Sequence, residues 1–331
     1  MTSISTTTTE TDNKQSFFNQ LLWKILRTRQ LFLIIIIAII VIGLASISST
    51  FLSYRNIMAL ASNEAIKGFV LIGVLLLLIT GDFDLSVGAG MALVGVCMAW
   101  TTARTNIEIG ILAGLALGLF LGVLNGFLVT RLKMASFIAT LGTMYMARSL
   151  CNVITQGKAI PLRNEAIVKF FNLYIFGLPI TFIMLIVFVA IMAFVLGRHK
   201  YFRRLFYTGF NERGATMVGI NTNKLRWSMF IFSGLMIAVG GIFYTSMLSS
   251  AVPLAFSGLE MKMIAMAVIG GTSLKGGQGS VIGCVLGLGM ITLVGNAMTV
   301  IGISPNWEGA ILGVILIIAS ILDVTLQKKG M

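Results

Sequence analysis

Long, unbroken apolar runs constrain the fold of this chain more than any other feature of its sequence. Residues 31–47 read LFLIIIIAIIVIGLASI, and comparable runs recur along the chain. Because apolar residues stand at successive positions rather than at every second one, the pattern favours membrane-spanning helices over the strands of a barrel. A helix also satisfies its own backbone hydrogen bonds, which lipid cannot do.

The composition points to the same class of protein. Of the 331 residues, 57% are hydrophobic and only 11% are charged, and the mean hydropathy is +0.98. A soluble protein of this length carries a much larger share of charged residues. The sequence therefore predicts an all-α, polytopic helical membrane protein.

About ten transmembrane helices are predicted, and eight remain an alternative. The second and eighth predicted spans are shorter than the roughly 20 residues that a crossing needs, so either could be a broken or partly buried helix. The amphipathic stretch 52–67 is a candidate extension of the second span. The predicted spans are 31–48, a segment ending near 80, 87–104, 107–130, 135–154, 174–196, 228–250, 261–274, 279–301 and 307–324.

Most basic residues fall in the gaps between these spans. The net charge of +13 is concentrated before the first span, in the gap from 197 to 227, and at the end of the chain. Lys and Arg are enriched in cytoplasmic loops, so no nucleic-acid partner is needed to explain them. We predict a cytoplasmic tail at 1–30, one transmembrane domain at 31–325 that contains the cytoplasmic loop 197–227, and a second cytoplasmic tail at 326–331.

Glycines recur at intervals of four in two predicted spans. Small residues at this spacing allow two helix backbones to approach closely in lipid. A tightly packed bundle is therefore expected. The glycines are Gly110, Gly114, Gly118, Gly122 and Gly126 in one span, and Gly279, Gly283 and Gly287 in another.

Several kinds of chemistry lack the residues that they need. The single histidine, His199, makes a histidine-based metal site or catalytic triad very improbable, and the three cysteines lie in apolar surroundings. In GGTSLKGGQGS the lysine precedes the glycines, unlike in a phosphate-binding loop. The sequence thus predicts no enzyme, no cofactor, no metal and no nucleotide site on this chain.

Two carboxylates interrupt the apolar stretch LLLLITGDFDLSVGAGMALVG, residues 75–95. Asp82 and Asp84 either cap the helix that begins near Val87 or carry a proton or substrate directly. No basic residue stands near them in the sequence, which argues against a proton relay. A weak similarity between GDFDLSVGAG (81–90) and GGTSLKGGQG (270–279) hints at an internal repeat.

Other polar groups also lie within or near predicted spans. Asn125 and Asn296 either form hydrogen bonds between helices or line a pathway. Glu260 is a third candidate for such a pathway, because an ionisable group at membrane depth is costly.

Four segments resemble, in the same order, the membrane permeases of bacterial ABC importers for monosaccharides, the ribose, arabinose, xylose and galactose group. The resemblance covers roughly residues 50 to 325, and the variants GDFDLS and NAMTVIGISP (296–305) are similar to arabinose-type members. The matching segments are GDFDLSVGAG (81–90), NGFLVTRLKMASFIATLGTMYMARSL (125–150), YTGFNERGATMVGIN (207–221) and GLEMKMIAMAVIGGTSLKGGQGSVIG (258–283).

The resemblance implies an importer permease of the bacterial inner membrane that works as a pair, either with a second copy or with a paralogue. Its other partners are an ABC ATPase with two nucleotide-binding halves and a periplasmic or lipid-anchored sugar-binding protein. The first matching segment becomes a family signature, in which Asp82, Asp84, Ser86 and Gly88 matter and Asp84 is the main helix cap. The implied ATPase contact lies at Gly209, Asn211, Glu212, Ala215, Gly219 and Ile220.

The sequence leaves alternatives open for the transported molecule and for the energy source that drives its transport. A permease of the same family for a nucleoside or a furanosyl signalling molecule would share these motifs. An ion-coupled secondary transporter that uses Asp82 or Asp84 is a more distant alternative.

Overall fold

The protein is described by a computed structural model that covers residues 29–314 and residue 317. The predicted C-terminal tail and nearly all of the predicted N-terminal tail lie outside these residues. The helices are α1 (Arg29–Ile47), α2 (Tyr54–Thr80), α3 (Val87–Thr102), α4 (Ile107–Thr130), α5 (Ser136–Thr155), α6 (Glu165–Phe171), α7 (Ile180–Arg198), α8 (Lys200–Phe210), α9 (Glu212–Met217), α10 (Thr222–Leu248), α11 (Leu259–Ile269) and α12 (Val281–Ile301).

Strands are few and short. β1 (Ile160–Pro161) pairs antiparallel with β4 (Ser250–Ala251), and β2 (Tyr174–Ile175) pairs antiparallel with β3 (Leu178–Pro179). Within residues 29–314, seven helices are long and apolar enough to cross a membrane, namely α1, α2, α4, α5, α7, α10 and α12. The prediction of a polytopic helical membrane protein is confirmed.

The second and sixth predicted spans change in the structure, and the last is only partly described. The second is one continuous helix of 27 residues, α2, which absorbs the amphipathic stretch 52–67 because Ser53 caps it at the amide of Asn56. The sixth begins only at Ile180, since residues 174–179 form a hairpin that turns at Gly177. The last predicted span, 307–324, extends beyond the described residues, of which those from Glu308 to Val314 are helical.

The predicted loop at 197–227 is largely helical. It contains the amphipathic helix α8, the short helix α9 and the start of α10. Asn221 accepts a hydrogen bond from the amide of Lys224, so α10 begins at Thr222 instead of 228. Arg226 consequently lies in the second turn of a long helix and not in a loop.

Helices α2 and α3 form the centre of the bundle. From Ala65 to Thr80, all but one residue of α2 are buried, and most of α3 is buried as well. Helices α4, α10 and α12 pack around them. Helix α1 contacts α12 and leaves most of its apolar surface exposed, as expected for a helix that faces lipid.

The glycines that recur every four residues bring helices into close contact, as predicted. A Cβ atom on Gly122 would lie 2.5 Å from the carbonyl oxygen of Phe230 in α10, and one on Gly118 would lie 2.8 Å from that of Gly234. In α12, Gly283 and Gly287 lie in the same way against Gly270 and Met266 at the end of α11. Side chains at these positions would push the helices apart.

Candidate functional site

A buried polar cluster surrounds Asp84 in the segment between α2 and α3. One oxygen of the Asp84 carboxylate accepts hydrogen bonds from the amide and the hydroxyl of Ser86, at 2.9 and 2.5 Å. The other accepts from the hydroxyl of Ser233 in α10, at 3.0 Å. The amide nitrogen of Asn125 in α4 donates to the Ser86 hydroxyl at 2.9 Å. The cluster therefore ties this segment to two other helices.

The expected role of Asp84 as a helix cap is corrected by this geometry. Ser86 is the first flanking residue of α3, and no side chain there binds an amide of the first helical turn. Asp84 binds the backbone amide of Ser86 itself, in a tight turn ahead of the helix. Its main contacts are hydroxyl groups, including one on a different helix.

Asp82 has a basic partner, which the sequence analysis missed. Nε and Nη2 of Arg226 each donate to one oxygen of the Asp82 carboxylate, both at 2.7 Å. The two residues lie 144 positions apart, so no local sequence pattern could join them. Such a two-pronged pair is the strongest form of hydrogen-bonded ion pair between side chains. The absence of a base near Asp82, inferred from the sequence, is therefore wrong.

The same arginine also reaches the short helix α9. Nη1 of Arg226 lies 3.3 Å from Oε1 of Glu212, the first residue of that helix. The Asp82 side chain is 1% exposed and that of Glu212 is 49% exposed. Arg226 thus connects a buried carboxylate between α2 and α3 to a surface carboxylate on α9.

Gly209 lies where two separate segments meet. A Cβ atom there would collide with the carbonyl oxygen of Ile79 and come within 2.5 Å of the amide nitrogen of Gly277. The amide of Gly277 donates to Ile79 at 2.8 Å. A Cβ on Gly276 would lie 2.9 Å from the amide nitrogen of Gly81. The two segments with similar sequences, 81–90 and 270–279, are therefore neighbours, and the end of α8 packs against both.

The other residues expected to contact an ATPase form one compact unit. Asn211 caps α9 by accepting from the amide of Gly214, at 2.9 Å, and Ala215 is buried. Gly219 has a positive φ of 84°, which allows the chain to turn so that Ile220 donates to Ala215.

Large apolar side chains around α9 are exposed. Phe210 is 82% exposed and Met217 is 87% exposed, with Val218 beside it. The sequence does not single out these residues, although all three lie within the matching segment 207–221. An exposed apolar patch of this kind is typical of a surface that another protein covers.

Gly88 and Glu260, predicted separately, lie together. A Cβ on Gly88 would lie 2.5 Å from the carbonyl oxygen of Phe256 and 3.1 Å from Oε2 of Glu260. Gly88 stands at the start of α3 and Glu260 at the start of α11. The first turns of these two short helices therefore meet in the interior of the bundle.

The predicted pathway residues are not all in one place. Asn125 belongs to the cluster around Asp84, whereas Asn296 in α12 exchanges two hydrogen bonds, of 3.0 and 3.1 Å, with Asn56 in α2. Asn296 lines a cavity of about 300 Å³, and neither Asn125 nor Glu260 does. The cavity also contains Lys67 and Lys262, whose positions inside apolar segments were a signal that the sequence analysis did not use.

Comparisons with known proteins place this chain among transport permeases. Residues 56–320 match the family described as branched-chain amino acid transport system / permease component. The ribose import permease protein RbsC of Bacillus subtilis is 32% identical over 97% of this chain and 98% of its own length. The L-arabinose transport system permease protein AraH of Escherichia coli is 33% identical over 89% of this chain and 90% of its own. No solved structure matches the chain significantly.

The family match covers most of the chain, and the relatives are matched over nearly their whole length. Together with the long apolar helices, this makes the protein a multi-pass protein of the bacterial inner membrane. It is a transporter subunit and not an enzyme. The chain belongs to the family of branched-chain amino acid transport system / permease components.

Proposed function

We propose that this chain is the permease subunit of an ATP-driven importer for a monosaccharide. The observation that carries the proposal is the match to sugar permeases over nearly the full length of both chains, including relatives named for ribose and L-arabinose. Import then requires an ATPase with two nucleotide-binding halves and a sugar-binding protein outside the membrane. A second permease, identical or related, completes the pathway.

The unit formed by the end of α8 and by α9 is the proposed ATPase contact. Its exposed Phe210, Met217 and Val218 offer an apolar surface, and Glu212 contributes a charge at its edge. A groove of about 660 Å³ runs beside this unit, between α9 and the start of α10. These features fit a helix that inserts into a cleft of a partner protein.

Two contacts carry movement from this unit into the membrane in our proposal. Glu212 and Asp82 share Arg226, so a displacement of α9 pulls on the segment between α2 and α3. Gly209 packs closely against Ile79 and Gly277, which belong to two different segments. Closure of the ATPase would therefore shift the end of α2 together with the segment between α11 and α12, and change access to the pathway.

The geometry gives less support to an ion-coupled transporter. Asp82 is held by an arginine, and both oxygens of Asp84 accept hydrogen bonds from Ser86 and Ser233. A carboxylate that exchanges a proton or sodium ion during each cycle needs a vacant position in its coordination shell. In this arrangement each oxygen of both carboxylates already accepts at least one hydrogen bond, with which an exchanging proton or sodium ion would have to compete.

Reconstitution tests the proposed function. The permease is placed in liposomes with an ABC ATPase and a sugar-binding protein from the same organism, and uptake of ribose, arabinose, xylose, galactose and nucleosides is followed with and without ATP. We expect uptake of one or more monosaccharides only when ATP and both partners are present. Uptake by the permease alone, driven by an ion gradient, would contradict the proposal. If only nucleosides were taken up, the protein would still be an ATP-driven importer, but its substrate would be a nucleoside and not a monosaccharide.

A further inference from the structure

The cavity that contains Asn296 lies inside the membrane-spanning bundle. Its walls come from α2, α11 and α12 and from Glu308 beyond them, and its volume of about 300 Å³ is at the lower end of the range for small-molecule sites. Glu64 and Lys67 stand near the middle of α2, a helix of 27 residues. The charged part of the cavity therefore lies near the middle of this long helix.

Two ion pairs line the cavity. Nζ of Lys67 lies 2.5 Å from Oε1 of Glu64, and Nζ of Lys262 lies 2.6 Å from Oε1 of Glu308. All four side chains are partly buried, between 17% and 31% exposed. Burying four charged groups within a membrane-spanning bundle costs free energy. Their presence therefore points to a role other than stabilising the fold.

The hydrogen-bonding capacity of these groups is not exhausted. Oε2 of Glu64 is buried without a hydrogen-bond partner among the described residues, although Oε1 of the same carboxylate binds Lys67. The ammonium groups of Lys67 and Lys262 each have three hydrogen-bond donors, and each donates to one carboxylate. The cavity thus presents a free acceptor beside donors, in a setting where unmatched polar groups are costly.

The chemistry of the lining selects the kind of ligand. Two carboxylates and two ammonium groups cancel in charge, so the cavity favours a neutral molecule over an anion or a cation. A hydroxyl group can donate to Glu64 and accept from a lysine at the same time. The hydroxyl of Thr299 and the amide of Asn296 add further polar groups at the wall. A small molecule with several hydroxyl groups matches this pattern.

The geometry points to this cavity as a transient binding site for a sugar on its way through the permease, with Glu64, Lys67, Lys262 and Glu308 as its polar contacts. The inference rests on the proposed function, because it assumes that a sugar passes through this chain. It adds to that function a defined position for the sugar within the membrane. Asn296, at the cavity wall, is held in place by its two hydrogen bonds with Asn56.

Protection from a thiol reagent tests for a sugar in the cavity. Thr299 is exposed at the cavity wall, and a Thr299→Cys variant is made in a Cys97→Ser background, because Cys97 is the native cysteine that is not buried. Thr105→Cys is the matched control, an exposed threonine away from the cavity. The assembled importer is labelled with a small charged thiol reagent, with and without the sugar that the wild-type importer transports. We expect the sugar to slow labelling at position 299 about tenfold and to leave position 105 unchanged.

A second set of variants asks which groups hold the sugar. Glu64→Gln keeps the shape of the side chain and removes the charge, and it should abolish protection at position 299 and lower maximal uptake about tenfold, since a hydrogen bond to a charged group contributes at least that factor. Glu165→Gln is the control, because Glu165 forms an exposed pair with Lys169 on α6. It should change neither quantity.

The outcomes separate this inference from the proposed function. If the wild-type importer takes up a sugar but that sugar does not protect position 299, the cavity is not the site, while the importer function stands. If Glu64→Gln lowers uptake only in proportion to a lower amount of protein in the membrane, the residue is structural and the inference fails. If the wild-type importer takes up no sugar at all, the proposed function itself fails.

Discussion

Asp82 and Arg226 are joined by two hydrogen bonds of 2.7 Å, although they come from parts of the chain 144 residues apart. The carboxylate is fully buried and the guanidinium group is largely so. The sequence ranks Asp84 above Asp82, as the main helix cap. The pairing reverses that order, because removing either partner leaves a buried charge unmatched.

Replacement of Arg226 by methionine should destabilise the protein by about 3 to 5 kcal/mol, the usual cost of leaving one partner of a buried ion pair alone. Arg226→Lys should cost less but should still lower ATP-driven uptake, because lysine cannot make the two-pronged contact. Thermal unfolding of the purified permease and uptake in liposomes measure the two effects. As a control, Arg226→Met combined with Asp82→Leu should recover stability without recovering uptake. Full uptake by the double variant would contradict a role in coupling.

Reversal of charge at Glu212 should weaken association with the ATPase. Glu212→Lys places a positive charge next to Arg226 and alters the edge of the exposed unit at α9. Membrane insertion should not change, because Glu212 is half exposed and lies outside the long apolar helices. Co-purification of the ATPase with the permease is the measurement. Glu165→Lys, which reverses an exposed charge on α6, should leave the complex intact.

A methyl group at Gly209 should be poorly tolerated. Gly209→Ala would force the end of α8 away from the carbonyl oxygen of Ile79 and from Gly277, and overpacking of this kind costs about 1 to 3 kcal/mol. The temperature of unfolding should fall, and uptake should fall further than stability alone explains. Gly197→Ala is a suitable control because no atom lies within 4 Å of the added Cβ. Equal behaviour of the two variants would show that the close contact at Gly209 is not needed.

Removal of the Asp84 side chain should impair folding. Asp84→Ala leaves the hydroxyl groups of Ser86 and Ser233 without their acceptor in a buried position, at a cost of about 1 to 3 kcal/mol for each group left unsatisfied. Asp84→Asn retains one oxygen and should be milder. The yield of folded permease and its unfolding temperature distinguish the two. An ion-coupled mechanism predicts the opposite for transport, namely that Asp84→Asn would be as inactive as Asp84→Ala.

Structural features that depend on residues close together in the sequence can be predicted from the sequence. The apolar runs indicate the long helices, and the glycines at intervals of four indicate the close packing of α4 against α10, because both patterns repeat with the geometry of a single helix. The start of α10 at Thr222 is not evident from the sequence, because the basic residues there are typical of a loop, whereas in the structure Asn221 caps the helix. Capping by one side chain outweighed the polar composition.

Contacts between distant segments could not be predicted in this way. Asp82 with Arg226, Asn56 with Asn296, and Gly209 with Gly277 each join segments that fold against one another only when the whole bundle forms. From the sequence alone, Asp82 is explained as a helix cap, Asn296 as an amide between helices and Gly209 as part of a partner-contact motif. The cavity is a similar case, since its four charges come from three separate parts of the chain.

The Glu212–Arg226–Asp82 linkage is unequal at its two ends, and this has a consequence for its response to ionic strength. The contact at Glu212 is open to solvent, where salt at physiological concentration screens charges beyond about 8 Å and weakens even close pairs. The contact at Asp82 is shielded from solvent and keeps its strength. A rise in ionic strength would therefore release Arg226 from Glu212 before it releases Arg226 from Asp82, so that the linkage opens first at its solvent-exposed end.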